Sequence, residues 1–430
     1  MNIVWYRRIW FITLSLLLVV GLICILSSEC DLHMEGDHLR VHTRPHGIGI
    51  TSLDQTDQKS FSSLSEKNVY DGYTYVLSTY YFNASSGFYK HRQAPSTEWL
   101  VVFISSLRAV ARKRVADSAV PPSLRSTKLV FFTDALTFSV LWRDVHIIRT
   151  WSNEGFLHWI IVCPPDGNTT ASGVAIPGDV PADVAQIWSP EFLNEKWASG
   201  VRNGANNFRF ALYYKWLQQY LRFHEYSSHG DLHMASESSR FVICDSSDVA
   251  FQRDPFLPGG GCFPQEPDPY VVFTLESRKK NFRNEKYNRR WMLCYGEGVL
   301  KLIGKGEIAC AGVILGNGMG MLRYLASLLQ EIQDPHLVEC SLSLEAALDQ
   351  ANHNYLLHVK HDYPSYKKIK SSHESSYCAF HGNYGKAVLN VENSVVAPGT
   401  NFSYAIVHQY TADRHPLVMK QMKKLYGVPH

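Results

Sequence analysis

Hydrophobic patterning divides the chain into three regimes. Residues 9–26 read IWFITLSLLLVVGLICIL without a charge; as a helix they would cover about 27 Å, close to the hydrocarbon depth of a thin bilayer. Residues 27–68 are polar, rich in Ser, Asp, Gly and His, and sustain neither a period of 2 nor one of 3.6, which predicts a flexible stem. From Tyr73 onward, short apolar runs recur. The β-branched and aromatic stretch YTYVLSTYYF opens this region, and runs at 99–104, 129–132, 145–148 and 241–244 follow, each read as a buried strand. Helix-like stretches lie between them, notably 206–223, where Phe210, Tyr214, Leu217 and Leu221 recur at steps of three and four. The segment 259–290, rich in Gly and Pro and then charged, predicts an excursion from the core. A second apolar block at 308–315 leads into a predicted helix at 319–332, and 401–416 reads as a strand-like run followed by a loop. Buried strands alternating with helices predict an α/β domain around a largely parallel sheet.

Charge then orients the chain. Arg7 and Arg8 precede the apolar span, while Glu29, Asp31, Glu35 and Asp37 follow it, so the N-terminus is expected in the cytosol and everything beyond residue 26 outside it. A cleaved signal peptide is the alternative, with Ser27 and Ser28 at the cleavage point, but the run exceeds the roughly 7 to 15 apolar residues of such peptides. Both readings deliver the remainder to the secretory pathway. Sequons at Asn83, Asn168 and Asn401 agree with that compartment. Of nine cysteines, Cys24 lies in the span, leaving Cys30, Cys163, Cys244, Cys262, Cys294, Cys310, Cys340 and Cys378 in an oxidising space. The sequence does not choose among their pairings, and no Cys/His cluster has zinc-site spacing. A net charge of +3 over 430 residues, with Lys and Arg scattered, gives no footprint for a nucleic-acid partner.

The sharpest chemistry lies at 241–256, FVICDSSDVAFQRDPF. Ligands of open α/β sheets bind beyond the carboxyl ends of strands, which is where an apolar run ending in Asp245 and Asp248 would place two carboxylates. Hard divalent cations take oxygen ligands, so both are candidate metal ligands. The alternative is that either Asp caps the next helix or turn.

This run resembles the metal-binding segment of GT-A glycosyltransferases, two acidic residues after a buried strand followed by Phe and Asn/Asp-Pro-Phe. The spacing departs from the usual Asp-x-Asp, being Asp245-x-x-Asp248. Further segments fall in the order of the glycogenin-like, family-eight-like enzymes. Cys310-Ala311-Gly312-Val313 resembles their Asn-Ala-Gly-Val strand, which borders the donor sugar. Asp349-Gln350-Ala351-Asn352-His353-Asn354 resembles their Asp-Gln-x-x-x-Asn segment. Val407-His408-Gln409-Tyr410, with Arg414-His415-Pro416, resembles the C-terminal loop whose His completes the metal site, and Thr411-Ala412 looks like an insertion there. Asn206-Asn207-Phe208-Arg209-Phe210 stands in the place of a helix bordering the nucleotide. The resemblance, covering residues 73–416, implies Asp245, Asp248 and His408 as metal ligands. It implies Asn207, Arg209, Asp245, Asp248 and Gly312 as cofactor-binding residues, and Asp349 and Gln350 as catalytic ones. Plainer readings stand beside these: Gly312 and Gly316 as packing glycines, Asp349-Gln350 as a surface helix start, His353 as a core histidine.

Patterning and charge give a cytosolic tail (1–8), a transmembrane signal anchor (9–26) and a stem (27–70), and the resemblance implies a GT-A, Rossmann-like nucleotide-diphospho-sugar transferase domain (71–430). Such a single-pass type II protein is expected in the Golgi or endoplasmic reticulum membrane. With Mn2+ or Mg2+, it would move a hexose or pentose from a uridine or guanosine diphosphate sugar to a glycan, glycoprotein or glycolipid acceptor, with retention of anomeric configuration. Two rival functions are a catalytically inactive carbohydrate-binding ectodomain and a metal-dependent phosphoester hydrolase.

Overall fold

The computed structural model describes residues 32–35, 38–41, 74–80, 97–118, 120, 125–162, 178–181, 183–188, 205–227, 239–257, 262–264, 268–277, 279–344, 348–360, 366–371, 378–382, 387–410 and 414–427. The apolar span at 9–26 and the sequons at Asn83 and Asn168 lie outside them. No helix among the described residues is long and apolar enough to cross a membrane. The chain divides into two units, Met1–Ser63 and Leu64–His430. In the first, β1 (Leu32–Glu35) pairs antiparallel with β2 (His38–Val41), a hairpin within the stretch expected to be a patternless stem.

The second unit is built on β3 (Thr74–Thr79), β4 (Thr127–Thr133), β5 (Leu157–Val162), β6 (Ala185–Trp188), β7 (Arg240–Cys244), β8 (Val249–Phe251), β9 (Tyr270–Leu275), β10 (Ala309–Asn317), β11 (Lys367–Ser371), β12 (Ala379–His381), β13 (Val388–Leu389), β14 (Val395–Val396) and β15 (Ile406–His408). Its helices are α1 (Thr97–Ala116), α2 (Ala135–Asp144), α3 (His146–Asn153), α4 (Ala205–Ser227), α5 (Lys286–Met292), α6 (Glu297–Ile303), α7 (Gly318–Ile332), α8 (Pro335–Leu344), α9 (Leu348–His358) and α10 (Pro416–Tyr426). Eight strands form one sheet in the order β11-β9-β10-β7-β3-β4-β5-β6. Only β10 runs against its neighbours. A three-stranded sheet, β12-β15-β8, stands apart from it.

The parallel strands read as near-continuous apolar runs because both sheet faces are covered. On one face Leu100, Phe103 and Leu107 of α1, Phe138 of α2 and Trp151 of α3 pack with Val76, Leu129, Phe131 and Trp159. On the other, Phe210, Trp216 and Leu217 of α4 and Tyr324 and Leu328 of α7 pack with Tyr75, Leu77, Val130 and Phe132. Each such side chain contributes roughly 1.5–3 kcal/mol on burial.

Two expectations are corrected. The run at 99–104 lies within α1, and 146–148 of the run at 145–148 opens α3; neither is a strand. In α1 the apolar positions continue as Leu107, Val110 and Ala111, all buried, and a short apolar run does not by itself distinguish a strand from a buried helix. The segment 259–290, read as an excursion, carries the fully buried strand β9 beside β10; its YVVFTL run was masked by the Gly and Pro residues before it. The strand-like run expected within 401–416 is β15, and α10 begins at Pro416. Disulfides join Cys262 to Cys378 and Cys294 to Cys340, whereas Cys244 and Cys310 are buried thiols.

Candidate metal centre

Two devices bring acidic and imidazole groups together beyond the carboxyl ends of β3 and β7. At the first, Ser78 Oγ donates to the Cys244 carbonyl and Ser246 Oγ to the Thr79 carbonyl, each at 2.8 Å, tying the turn after β7 to the end of β3. The Asp245 amide donates to the Gly312 carbonyl at 3.0 Å. The second device is the small sheet, whose register sets His408 opposite His381 on the parallel neighbour and Val249 on the antiparallel one. Asp248 immediately precedes Val249, and its carbonyl accepts the Gln409 amide at 2.9 Å. Gln409 adopts a φ of 60°, a left-handed conformation uncommon outside glycine.

As a result, His408 Nε2 lies 3.3 Å from Asp245 Oδ2 and 3.5 Å from Asp248 Oδ1. Those separations are long for charge-assisted hydrogen bonds, and both His408 Nε2 and Asp248 Oδ1 are buried without a hydrogen-bond partner. They match ligands sharing an ion: two atoms about 2.1 Å from one centre are about 3.0 Å apart at a right angle and about 3.4 Å apart at the tetrahedral angle. The space between them is kept clear by Gly312, because a Cβ there would stand 2.7 Å from both His408 Nε2 and Asp245 Oδ2. Two carboxylates and one imidazole make a donor set suited to manganese-like cations. The residues present therefore fit a divalent ion.

The surrounding charges point the same way. Arg209, buried on α4, pairs with Asp245 Oδ1 and, at 3.2 Å, with Asp349 Oδ2 in the first turn of α9. Burial works against the Arg209 charge, but Asp245 and Asp349 outweigh it and raise its pKa. Burial likewise opposes ionisation of Asp245, yet Arg209 and His408 hold its carboxyl well below the ordinary range. For Asp248 and Asp349 burial dominates and pushes the carboxyls up. Arg209 thus faces Asp245 and Asp349, while His408 faces Asp245 and Asp248; burial works against the His408 charge, but its two carboxylates raise its pKa well above the ordinary value.

Asp245, Asp248, Gly312, His408, Arg209 and Asp349 thus converge. Asn207 is buried near the start of α4. Gln350 is turned to a different task. Between Ala309 and Ile314, β10 shifts register against β9, and side-chain amides of α9 bond the backbone there. Gln350 Oε1 accepts the Ala311 amide and Gln350 Nε2 donates to the Ala309 carbonyl, both at 2.8 Å. Asn354, one helical turn on, accepts the Ala309 amide at 2.8 Å and donates to its carbonyl at 2.9 Å. Gln350 Nε2 also reaches Glu276 Oε1 at 3.1 Å, whose acid burial pushes up to about 8.

Other motif residues are structural. Asp254 pairs with Arg114 of α1, whose guanidinium sits 4.9 Å from the Phe256 ring. His353 stacks on Phe273 and meets the Tyr324 hydroxyl at 2.7 Å; burial lowers its pKa to about 3. His415 Nε2 donates to the Gly382 carbonyl at 2.8 Å and Arg414 is exposed, while Thr411 and Ala412 lie outside the described residues. His381, Thr274 and Glu276 were not singled out from the sequence. Their place beside the centre comes from long-range strand register, for which no local pattern exists.

No family model and no curated protein matches the chain. Among solved structures, it is similar to the crystal structure of the galactosyltransferase LgtC in complex with donor and acceptor sugar analogs. The identity is 12% and the TM-score 0.35, over 83% of this chain and 98% of that one. A likeness of that size carries no functional weight.

Proposed function

We propose that the chain is a GT-A-like glycosyltransferase that binds a nucleotide-diphosphate sugar through a divalent cation, manganese or magnesium, and passes its hexose or pentose to a glycan, glycoprotein or glycolipid. The observation that carries this reading is the convergence of Asp245, Asp248 and His408 on the clear point beside Gly312, beyond the carboxyl ends of parallel strands. A bound ion would act as Lewis acid and template, neutralising the diphosphate leaving group. The chain's own groups would do the rest. Asp245 and Asp248 supply anionic oxygens, Gly312 lets the donor approach the backbone, and Arg209 is oriented by its two carboxylate partners. Asp349, buried beside Arg209, is the proposed catalytic carboxylate, with Gln350 holding β10 in place.

An inactive carbohydrate-binding ectodomain would have no need to keep three ligand atoms trained on one point. A phosphoester hydrolase commonly uses two metals with further carboxylates; the other ligand cluster among the described residues, Cys310, His381 and His408, contains none. The test is transfer and donor hydrolysis by the purified chain across a panel of nucleotide sugars, with and without Mn2+. Asp245→Asn and Asp248→Asn should each weaken metal-dependent nucleotide-diphosphate binding at least tenfold, about 1.4 kcal/mol, with folding retained. Parent-like binding by both variants would overturn the reading.

The proposal includes a lumenal orientation behind a signal anchor at 9–26. It is supported by Arg7 and Arg8 before the span, two disulfides and an exposed Asn401 sequon. Protease added to intact microsomes should spare the region beyond residue 26; digestion around Asn401 without detergent would refute it.

A further inference from the structure

We propose that His381 is a positioning residue that fixes the tautomer of His408, so that the Nε2 lone pair of His408 faces Asp245 and Asp248. The inference rests on the divalent-ion reading of that centre. It starts from a backbone carbonyl, which accepts and never donates. Thr274 Oγ1 lies 2.8 Å from the Val313 carbonyl, and the single hydroxyl proton must point there, or two lone-pair oxygens would face each other. The hydroxyl is then left with lone pairs for His381 Nε2, at 3.1 Å, so His381 carries its proton on Nε2. In the neutral ring its Nδ1 is then an acceptor, and His408 Nδ1, at 3.0 Å, is the donor. Cys310 Sγ, 3.5 Å from the same His408 nitrogen, is a second and weaker acceptor for that proton.

With His381 neutral, each link has one allowed direction, so the polarity set by Val313 is passed through Thr274 and His381 to His408. Its end is an imidazole whose remaining nitrogen is free to bind a cation. The small sheet enforces the alignment, since His381 and His408 are register partners on parallel strands, and both are buried at 1% exposure or less. Outer partners of this kind typically change metal affinity 10- to 100-fold.

The test compares the full chain with His381→Leu, which removes the acceptor, and His381→Asn, whose Oδ1 restores an acceptor near the Nδ1 position. Mn2+ affinity is measured by calorimetry. The protonation of the His408 ring nitrogens is read from 15N-histidine spectra with Mg2+ present, assigned by the signal lost in His408→Gln. Expected are a proton on His408 Nδ1 in the parent, a loss of Mn2+ affinity of at least tenfold in His381→Leu, and affinity within about threefold of the parent in His381→Asn. Thr274→Val, which deletes the hydroxyl at near-constant volume, should lower affinity at least threefold and serves if His381→Leu does not fold. Parent-like affinity in both His381→Leu and Thr274→Val overturns the proposal. So does a His408 Nδ1 without its proton, including one displaced by a soft ion held between Cys310, His381 and His408. If the parent binds no Mn2+ while the Nδ1 proton still depends on His381, the relay stands and the metal reading fails.

Discussion

Gly312 shows how much one residue controls. A Cβ added there would stand 2.7 Å from His408 Nε2 and from Asp245 Oδ2, two of the proposed ligand atoms. Gly312→Ala should therefore lower Mn2+ affinity at least tenfold, about 1.4 kcal/mol, by pushing His408 or Asp245 aside, while far-UV circular dichroism stays that of the parent. Calorimetry checks it, and an unchanged affinity would show that the cleared space is incidental. At this scale the sequence is uneven in what it reveals. Asp245 and Asp248 are legible because two carboxylates three residues apart follow one apolar run, whereas the single Asp134 after β4 caps a helix. His408 is legible through resemblance alone, and His381, in the ordinary-looking run Ala379-Phe380-His381-Gly382, is not legible at all, since its meaning depends on a strand 27 residues away.

Among the elements, the contact between α9 and β10 decides more than its length suggests. A bulged strand leaves backbone groups without ladder partners, and Gln350 and Asn354, four residues apart on one helix face, take their place. Gln350→Ala should lower metal-free stability by roughly 1–3 kcal/mol, the cost of a buried amide without a partner, read from the urea midpoint. A parent-like midpoint would return Gln350 to a direct role at the substrate. The Asp-Gln-x-x-x-Asn spacing was visible in the sequence, but the bulge it serves was not, because a register shift belongs to a pair of strands. The same limit explains why 99–104 looked like a strand: with helix and sheet both buried, hydrophobicity alone carries no period.

For the molecule as a whole, buried histidines couple stability to pH. Burial, helped by Lys128, lowers His158 from its ordinary 6.5 to about 4, so a proton binds the unfolded chain more readily than the folded one. The stability that neutral His158 confers is complete above pH 6.5 and declines as pH falls toward 4, by about 2 kcal/mol at pH 5. Glu276, raised to about 8, acts in the opposite sense. The quantity to read is thus the difference between parent and His158→Gln in urea midpoints at pH 7.5 and 5.0, with chelator present. That difference should shrink by about 2 kcal/mol on acidification, and a constant difference would mean His158 takes up its proton without unfolding. A separate consequence follows from the small sheet, whose strands come from 249–251, 379–381 and 406–408. During synthesis most of the large sheet can assemble before the last of these leaves the ribosome. A nascent chain stalled short of residue 408 would carry strands and helices but no third ligand, so firm retention of an ion would mark the finished molecule and distinguish it from an aborted one.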